Sequence, residues 1–296
     1  MKLLLKSSFI VFYFFVSTLA RAVTVKDEKG IFNLEYVPQR IVVLEYSFAD
    51  ALASVGVSPI GIADDKDSTR IIKQVKEVIG EWTSVGTRSQ PSLEVIASLK
   101  PDLIIADIDR HEVIYKDLKK IAPTLILPSR HETYQGNLKV AAIIGKVLNK
   151  DEEMQARLTL HNKIMEGFAK KLPKGREVQF GIALEGYIAM HPGKSYVGSL
   201  IQFLGMTTPK LIKDQNASVH TGLEQLLAMN PQYLIIGHYH SKDVVTIWEN
   251  EYLWGLLQAV RNKHVYHIGN PGLWSRARGI LAAELIAEKL VSLFNK

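Results

Sequence analysis

The chain has 296 residues, 47% of them hydrophobic, and no cysteine. That is enough for one large or two modest domains with a sizeable core, and it excludes disulfides, a thiol nucleophile and a lipid-modified cysteine. Its 36 Lys and Arg against 30 Asp and Glu give a formal charge of +6, yet no basic run is interleaved with aromatic residues, which argues against a nucleic-acid partner.

Half of that charge lies at the N-terminus. Lys2 and Lys6 precede an apolar run over Phe9–Val16, and Ala20-Arg21-Ala22 has the small-x-small form of a cleavage site. Residues 1–22 therefore read as a secretory signal peptide cleaved after Ala22. The apolar run is too short to span a membrane comfortably. Without Lys2, Lys6 and Arg21 the chain keeps 33 basic and 30 acidic residues, a net of +3. The mature chain is expected in the periplasm.

Val23–Tyr36 alternates as a strand does, with a turn at Lys29-Gly30. Ile41–Leu44 is a short β-branched run, as in a strand buried on both faces. Phe48–Val55 has helical spacing and stops at Gly56, and Pro59–Ala63 reads as the next strand. Ser92–Leu99 reads as a helix with Ser92 as its N-cap. A break at Lys100-Pro101-Asp102 leads into strand Leu103–Ala106. Glu112–Ile121 follows as a helix, Thr124–Leu127 as a strand and Tyr134–Leu148 as a helix. This alternation predicts an α/β fold with a parallel sheet.

Met154, Leu158, His161, Met165, Phe168 and Leu172 then mark one face of a long helix over Asp151–Lys171. Three acids open it, two lysines close it, and Pro173 stops it. About twenty helical residues span roughly 30 Å, and His161 falls on the packed face. Beyond it the alternation restarts. Strands are expected at Val178–Ala183, Tyr233–Ile236 and Val265–Ile268. Helices are expected at Val197–Phe203, Gly222–Ala228, Val244–Trp248, Leu253–Ala259 and Ile280–Phe294.

The fourteen residues from Ser92 echo those from Gly222, with Leu, Glu and Pro recurring at an offset of 130. One copy precedes the long helix and one follows it. The period is too long for a solenoid and points to two similar lobes. The division expected is a lobe over 23–150, an interlobe helix over 151–172 and a lobe over 173–296.

No catalytic motif is complete. Gly193-Lys194-Ser195 has Ile188 where a phosphate-binding loop needs its first glycine, and there is no nucleophile elbow. His238 and His240, after a strand, are the one pair placed to chelate a metal. An exported metal-dependent enzyme using them is the reading from another class.

Arginine recurs in loops after strands, where open α/β sheets bind ligands. Arg88, Arg110 and Arg130 lie in the first half, Arg276 and Arg278 after the last strand. Converging guanidinium groups match a polyanion with carboxylate geometry. Tyr187, His191, Tyr196 and Trp274 could complete such a pocket.

The stretches PQRIVVLEYSFADALASVGVSPIGIADD, VGTRSQPSLEVIASLKPDLIIAD, SRHETYQGNLKVAAIIGK and TGLEQLLAMNPQYLI resemble the periplasmic substrate-binding proteins for iron(III)-siderophores. Within that family they resemble most the ferric-citrate binders of ABC importers. The resemblance implies two Rossmann-like lobes joined by one long helix, the class III architecture. It implies no enzyme, a cleft for an iron chelate such as ferric citrate, iron held by the chelator, and an ABC permease with its ATPase as partners of a monomer. Haem, cobalamin or another chelate are alternative cargoes. Glu94 and Glu224, matched by the internal echo, fall where family members dock onto the permease.

Overall fold

The computed structural model describes residues 22–210 and 216–295, so the expected signal segment, except for Ala22, lies outside the described residues. The N-terminal lobe opens with an antiparallel hairpin, β1 (Val23–Asp27) and β2 (Gly30–Leu34), turning at the expected Lys29-Gly30. Then follow β3 (Ile41–Val43), α1 (Tyr46–Ser54), β4 (Gly61–Ile62), α2 (Lys73–Ile79), β5 (Thr83–Ser84), α3 (Leu93–Ser98), β6 (Leu103–Asp107), α4 (Ile108–His111), α5 (Tyr115–Ile121), β7 (Thr124–Leu127) and α6 (Tyr134–Val147). The sheet is parallel, in the order β5-β4-β3-β6-β7. Strands β3, β6 and β7 are buried throughout, which is why they show as continuous apolar runs rather than alternations.

Helix α7 (Asp151–Ala169) leads to the second lobe: β8 (Val178–Ala183), β9 (Ile188–Met190), α8 (Tyr196–Phe203), β10 (Val219–Thr221), α9 (Leu223–Met229), β11 (Tyr233–His238), α10 (Val244–Trp248), α11 (Tyr252–Leu256), α12 (Gln258–Arg261), β12 (Val265–Ile268), α13 (Gly272–Ser275) and α14 (Ile280–Phe294). Its sheet runs β10-β9-β8-β11-β12. Here the sequence reading needs correction. β8, β11 and β12 are parallel, but β9 and β10 form an antiparallel edge that the pattern did not show. Two expected helices also differ. Glu112–Ile121 starts later, as α5, with the separate turn α4 before it, and Leu253–Ala259 breaks at Leu257, whose ψ is 130°.

The internal echo is geometric. β6 and β11 hold the same fourth place in their sheets. Lys100 and Asn230 both adopt the left-handed conformation, with φ of 48° and 44°, ending α3 and α9 just before Pro101 and Pro231. Ser92 caps α3 as expected, accepting from Val95 N at 3.3 Å.

Helix α7 belongs to both cores. Met154 and Leu158 pack with the N-terminal lobe, Met165, Phe168 and Leu172 with the C-terminal lobe. Gly145 of α6 permits the close approach at its start, because a Cβ there would lie 2.6 Å from Met154 Cβ. His161, fully buried between the two cores, bonds Tyr134 Oη at 2.6 Å and Glu284 Oε1 at 2.7 Å. Glu284 in turn takes both nitrogens of Arg157 at 2.8 Å. The lobes are tied by more than α7. Helix α14 puts Ile280 into the first core and Ala283, Ile286 and Leu290 into the second. Ser199 Oγ also accepts from Tyr134 N across the lobes at 2.9 Å.

Candidate functional site

The loops leaving β5, β6 and β7 face those leaving β11 and β12 across a cleft of about 290 Å³. One wall carries Arg88, Arg110, Arg130 and His131. The other carries His191, Tyr196, Tyr239, Trp274, Arg276 and Arg278, with Asn216 and Ser218 at its margin. The five arginines expected from the sequence thus meet in one cleft.

They are not equivalent. Arg88 is 6% exposed and lies 4.0 Å over the Tyr46 ring. Its Nη2 is 2.8 Å from Asp65 Oδ2, and its Nη1 is 3.6 Å from Glu45 Oε2. Arg110 pairs with the other oxygen of Glu45, a fully buried carboxylate. Asp65 also receives Arg70 at 2.9 Å. Burial works against the Asp65 charge, but the hydrogen bonds and charge of Arg88 outweigh it and hold the carboxyl well below its usual range. The same pairing outweighs the desolvation of Arg88 and raises its pKa.

Two buried polar groups fix the backbone beneath these side chains. Asp107 Oδ1 accepts from Ser129 N at 2.7 Å and Arg130 N at 3.2 Å, while Oδ2 accepts from Arg110 N at 3.1 Å. Burial, with the Glu45 charge nearby, pushes Asp107 up to about 6. His111 Nδ1 accepts from Asp107 N at 2.9 Å, so its Nε2 carries the proton and donates to Arg88 O at 2.8 Å.

Across the cleft the positive charge is less compensated. Arg276 stacks on Tyr239, its Cζ 4.6 Å from the ring centroid. Arg278 is partly buried, and among the described residues its guanidinium hydrogen-bonds the carbonyls of Arg276 and Ser275 alone, at 3.5 Å. Burial lowers its pKa. Burial, then the Arg278 charge, pushes His191 down to about 4, so it is a neutral imidazole at neutral pH. Trp274 is buried and stacked on Phe180 at 5.4 Å. Arg130, Arg276 and Arg278 have no carboxylate partner among the described residues, whereas Arg88 and Arg110 are matched by Glu45 and Asp65. The cleft therefore presents a surplus of guanidinium donors to an anion.

Three sequence expectations change here. Tyr187 does not line the cleft; it stacks on His220 with centroids 3.9 Å apart. Tyr196 does line it, but its hydroxyl is committed, donating to Gly279 O at 2.7 Å and accepting from Gly279 N at 3.1 Å. His238 does not pair with His240, which is exposed. It bonds Asp243 Oδ2 at 2.7 Å and His267 Nδ1 at 3.0 Å instead. Among the described residues no three His, Asp or Glu side chains are grouped to hold a metal ion. Sequence reasoning missed Glu45, Asp65, His131 and Tyr239. The available signal was an acid directly after an apolar strand, as in Leu44-Glu45 and Ala63-Asp64-Asp65. Glu94 and Glu224 lie outside the cleft, exposed in the first turns of α3 and α9.

Residues 41–271 match the family model described as "Periplasmic binding protein". The chain is 50% identical to the Fe(3+) dicitrate-binding periplasmic protein FecB of Escherichia coli (strain K12), over 93% of this chain and 91% of that one. It is 42% identical to the Fe(3+)-citrate-binding protein YfmC of Bacillus subtilis (strain 168), over 92% and 86%. Staphylococcus aureus SirA complexed with staphyloferrin B superposes with a TM-score of 0.80 at 23% identity, covering 92% of this chain and 98% of that one, which speaks to the fold. The chain belongs to the periplasmic binding protein family. Its two α/β lobes and long connecting helix have the class III architecture of such proteins.

Proposed function

We propose that this protein is the exported, ferric-citrate-binding component of an ABC importer, carrying the chelate in the interlobe cleft to a membrane permease and its ATPase. The carrying observation is the cleft chemistry. Five guanidinium groups converge there and only two are matched by carboxylates among the described residues. Ferric citrate presents outward-facing carboxylates around an iron that citrate itself ligates. The planar arginine fork reads those carboxylates and never loses its charge. The two relatives named for ferric citrate support the same cargo. Calorimetry of the purified protein tests this: ferric citrate should bind saturably, and no binding of any ferric carboxylate would refute it.

The permease is proposed to grip both lobes. Glu94 and Glu224 are exposed on equivalent first turns, one per lobe. Exposed ion pairs contribute little each, but two at a fixed separation set register and steer encounter. Glu94→Ala with Glu224→Ala should reduce iron uptake by about tenfold or more while leaving the dissociation constant within about twofold. Normal uptake by the double variant would remove these residues from docking.

A further inference from the structure

We propose that Asp50 is a positioning residue for ligand capture. From the N-terminal lobe it caps helix α14 of the C-terminal lobe, and so holds Arg278 in its cleft-facing pose. The inference rests on the proposed function only for its affinity readout.

Asp50 lies on α1, is 1% exposed and does not line the cleft. Its Oδ1 accepts from Ile280 N at 2.7 Å and Leu281 N at 3.1 Å, and its Oδ2 from Ala282 N at 3.0 Å. These are the first three amides of a fifteen-residue helix, groups that no turn of the helix itself can satisfy. Burial opposes the charge of Asp50 and pushes its pKa up to about 7, while the three amide hydrogen bonds and the helix dipole work in its favour. The cap is usually supplied by the residue before the helix. Here that residue is Gly279, which has no side chain to offer, and the opposite lobe provides the carboxylate.

Gly279 is held from both sides. Its φ of +118° lies where only glycine is at ease, and a Cβ would stand 2.5 Å from the Asp50 carboxyl. Tyr196 Oη bonds both its N–H and its carbonyl. The residue immediately before this clamp is Arg278. Among the described residues no side chain hydrogen-bonds that guanidinium, whose contacts there are two 3.5 Å approaches to nearby carbonyls. Its pose is therefore set by the backbone that Asp50 and Tyr196 pin. Asp50, Ala277 and Arg278 also border the same small void, next to Tyr46, which carries Arg88 on its ring. One buried carboxylate thus links the arginine of one wall to the framework of the other.

The test uses Asp50→Asn, which keeps one acceptor oxygen, and Gly279→Ala, which disturbs the clamp from the other side. In the unliganded protein, the side-chain Nε–H NMR signal of Arg278 should broaden or shift in both variants while that of Arg276 does not. In calorimetry, each variant should weaken ferric-citrate binding by about tenfold, which is about 1.4 kcal/mol of binding free energy. Against an Arg278→Ala background the same substitutions should cost less than about twofold, because coupled residues are not additive. Equal losses in both backgrounds, or an unchanged Arg278 signal, would overturn the proposal and leave Asp50 as structural support. Failure of the wild-type protein to bind ferric citrate would count against the cargo, while the NMR arm would still decide the clamp.

Discussion

Arg278→Ala is expected to weaken ferric-citrate binding by about a hundredfold and to leave the unliganded protein at least as stable as wild type. The affinity loss follows if the partly buried guanidinium takes its carboxylate partner from the ligand, as proposed. Truncating one side of such a pair costs about 3 kcal/mol, and each 1.4 kcal/mol is tenfold. The stability outcome has three causes in the empty cleft. Arg278 has no carboxylate partner among the described residues, its charge is disfavoured by burial and by Arg88 and Arg110 more than Glu45 and Asp107 attract it, and it precedes the N-terminus of α14, the end of a helix that disfavours cations. Calorimetry and thermal melting on the same samples check both halves. A variant that melts well below wild type yet binds normally would assign Arg278 to the framework instead. Arg276 should matter less, since Tyr239 already stacks on it.

Among the described residues, β3, β6, β7, β8 and β11 were legible because burial on both faces turned them into short, mostly apolar runs, and β12 was read from a similar run although it is only partly buried. Strands β9 and β10 were not, because each has three residues and lacks the wholly β-branched run that marks β3. That omission misplaced Tyr187. It sits in the hairpin turn from β8 to β9, where Leu184 N donates to Tyr187 O at 3.0 Å, and the reversal carries it to the flank occupied by His220. The His238 and His240 pairing failed for a related reason. Two residues share a face only while a strand continues, and β11 ends at His238. The α7 pattern was read correctly as one packed face, but a periodicity cannot say that its two ends enter different cores. The arginines were legible through the rule that α/β ligands sit beyond strand ends. Their carboxylate partners were not, because Glu45 meets Arg88 and Arg110 only through the sheet that sets β3 beside β6.

Arg88→Ala is expected to act chiefly on stability, in contrast to Arg278→Ala, lowering it by about 3–5 kcal/mol at neutral pH, the range for breaking a buried pair from one side. Arg88 is the hub of the buried charges. Without it, among the described residues, Glu45 keeps Arg110 as its one ion-pair partner, Asp65 keeps Arg70 with hydrogen bonds from Tyr46 Oη and the residue-88 amide, and Tyr46 loses the cation on its ring. Lysine should not rescue it, since a single ammonium cannot span Asp65 and Glu45 while lying flat on an aromatic face. The pH dependence follows from Asp65, whose folded pKa lies below its unfolded value. Such a group contributes stability above its unfolded pKa of about 4 and loses it as pH falls toward the folded value. The wild-type protein should therefore lose part of its advantage over Arg88→Ala below about pH 4. Urea unfolding at pH 7 and at pH 3.5 measures both terms, provided both proteins remain two-state. Any affinity lost in Arg88→Ala must then be compared with the loss of folded protein, because the cleft wall that carries Arg110 is built on the same Glu45. Equal stability of the two proteins at pH 7 would show that Glu45 and Asp65 find other partners and that Arg88 is held for the ligand alone.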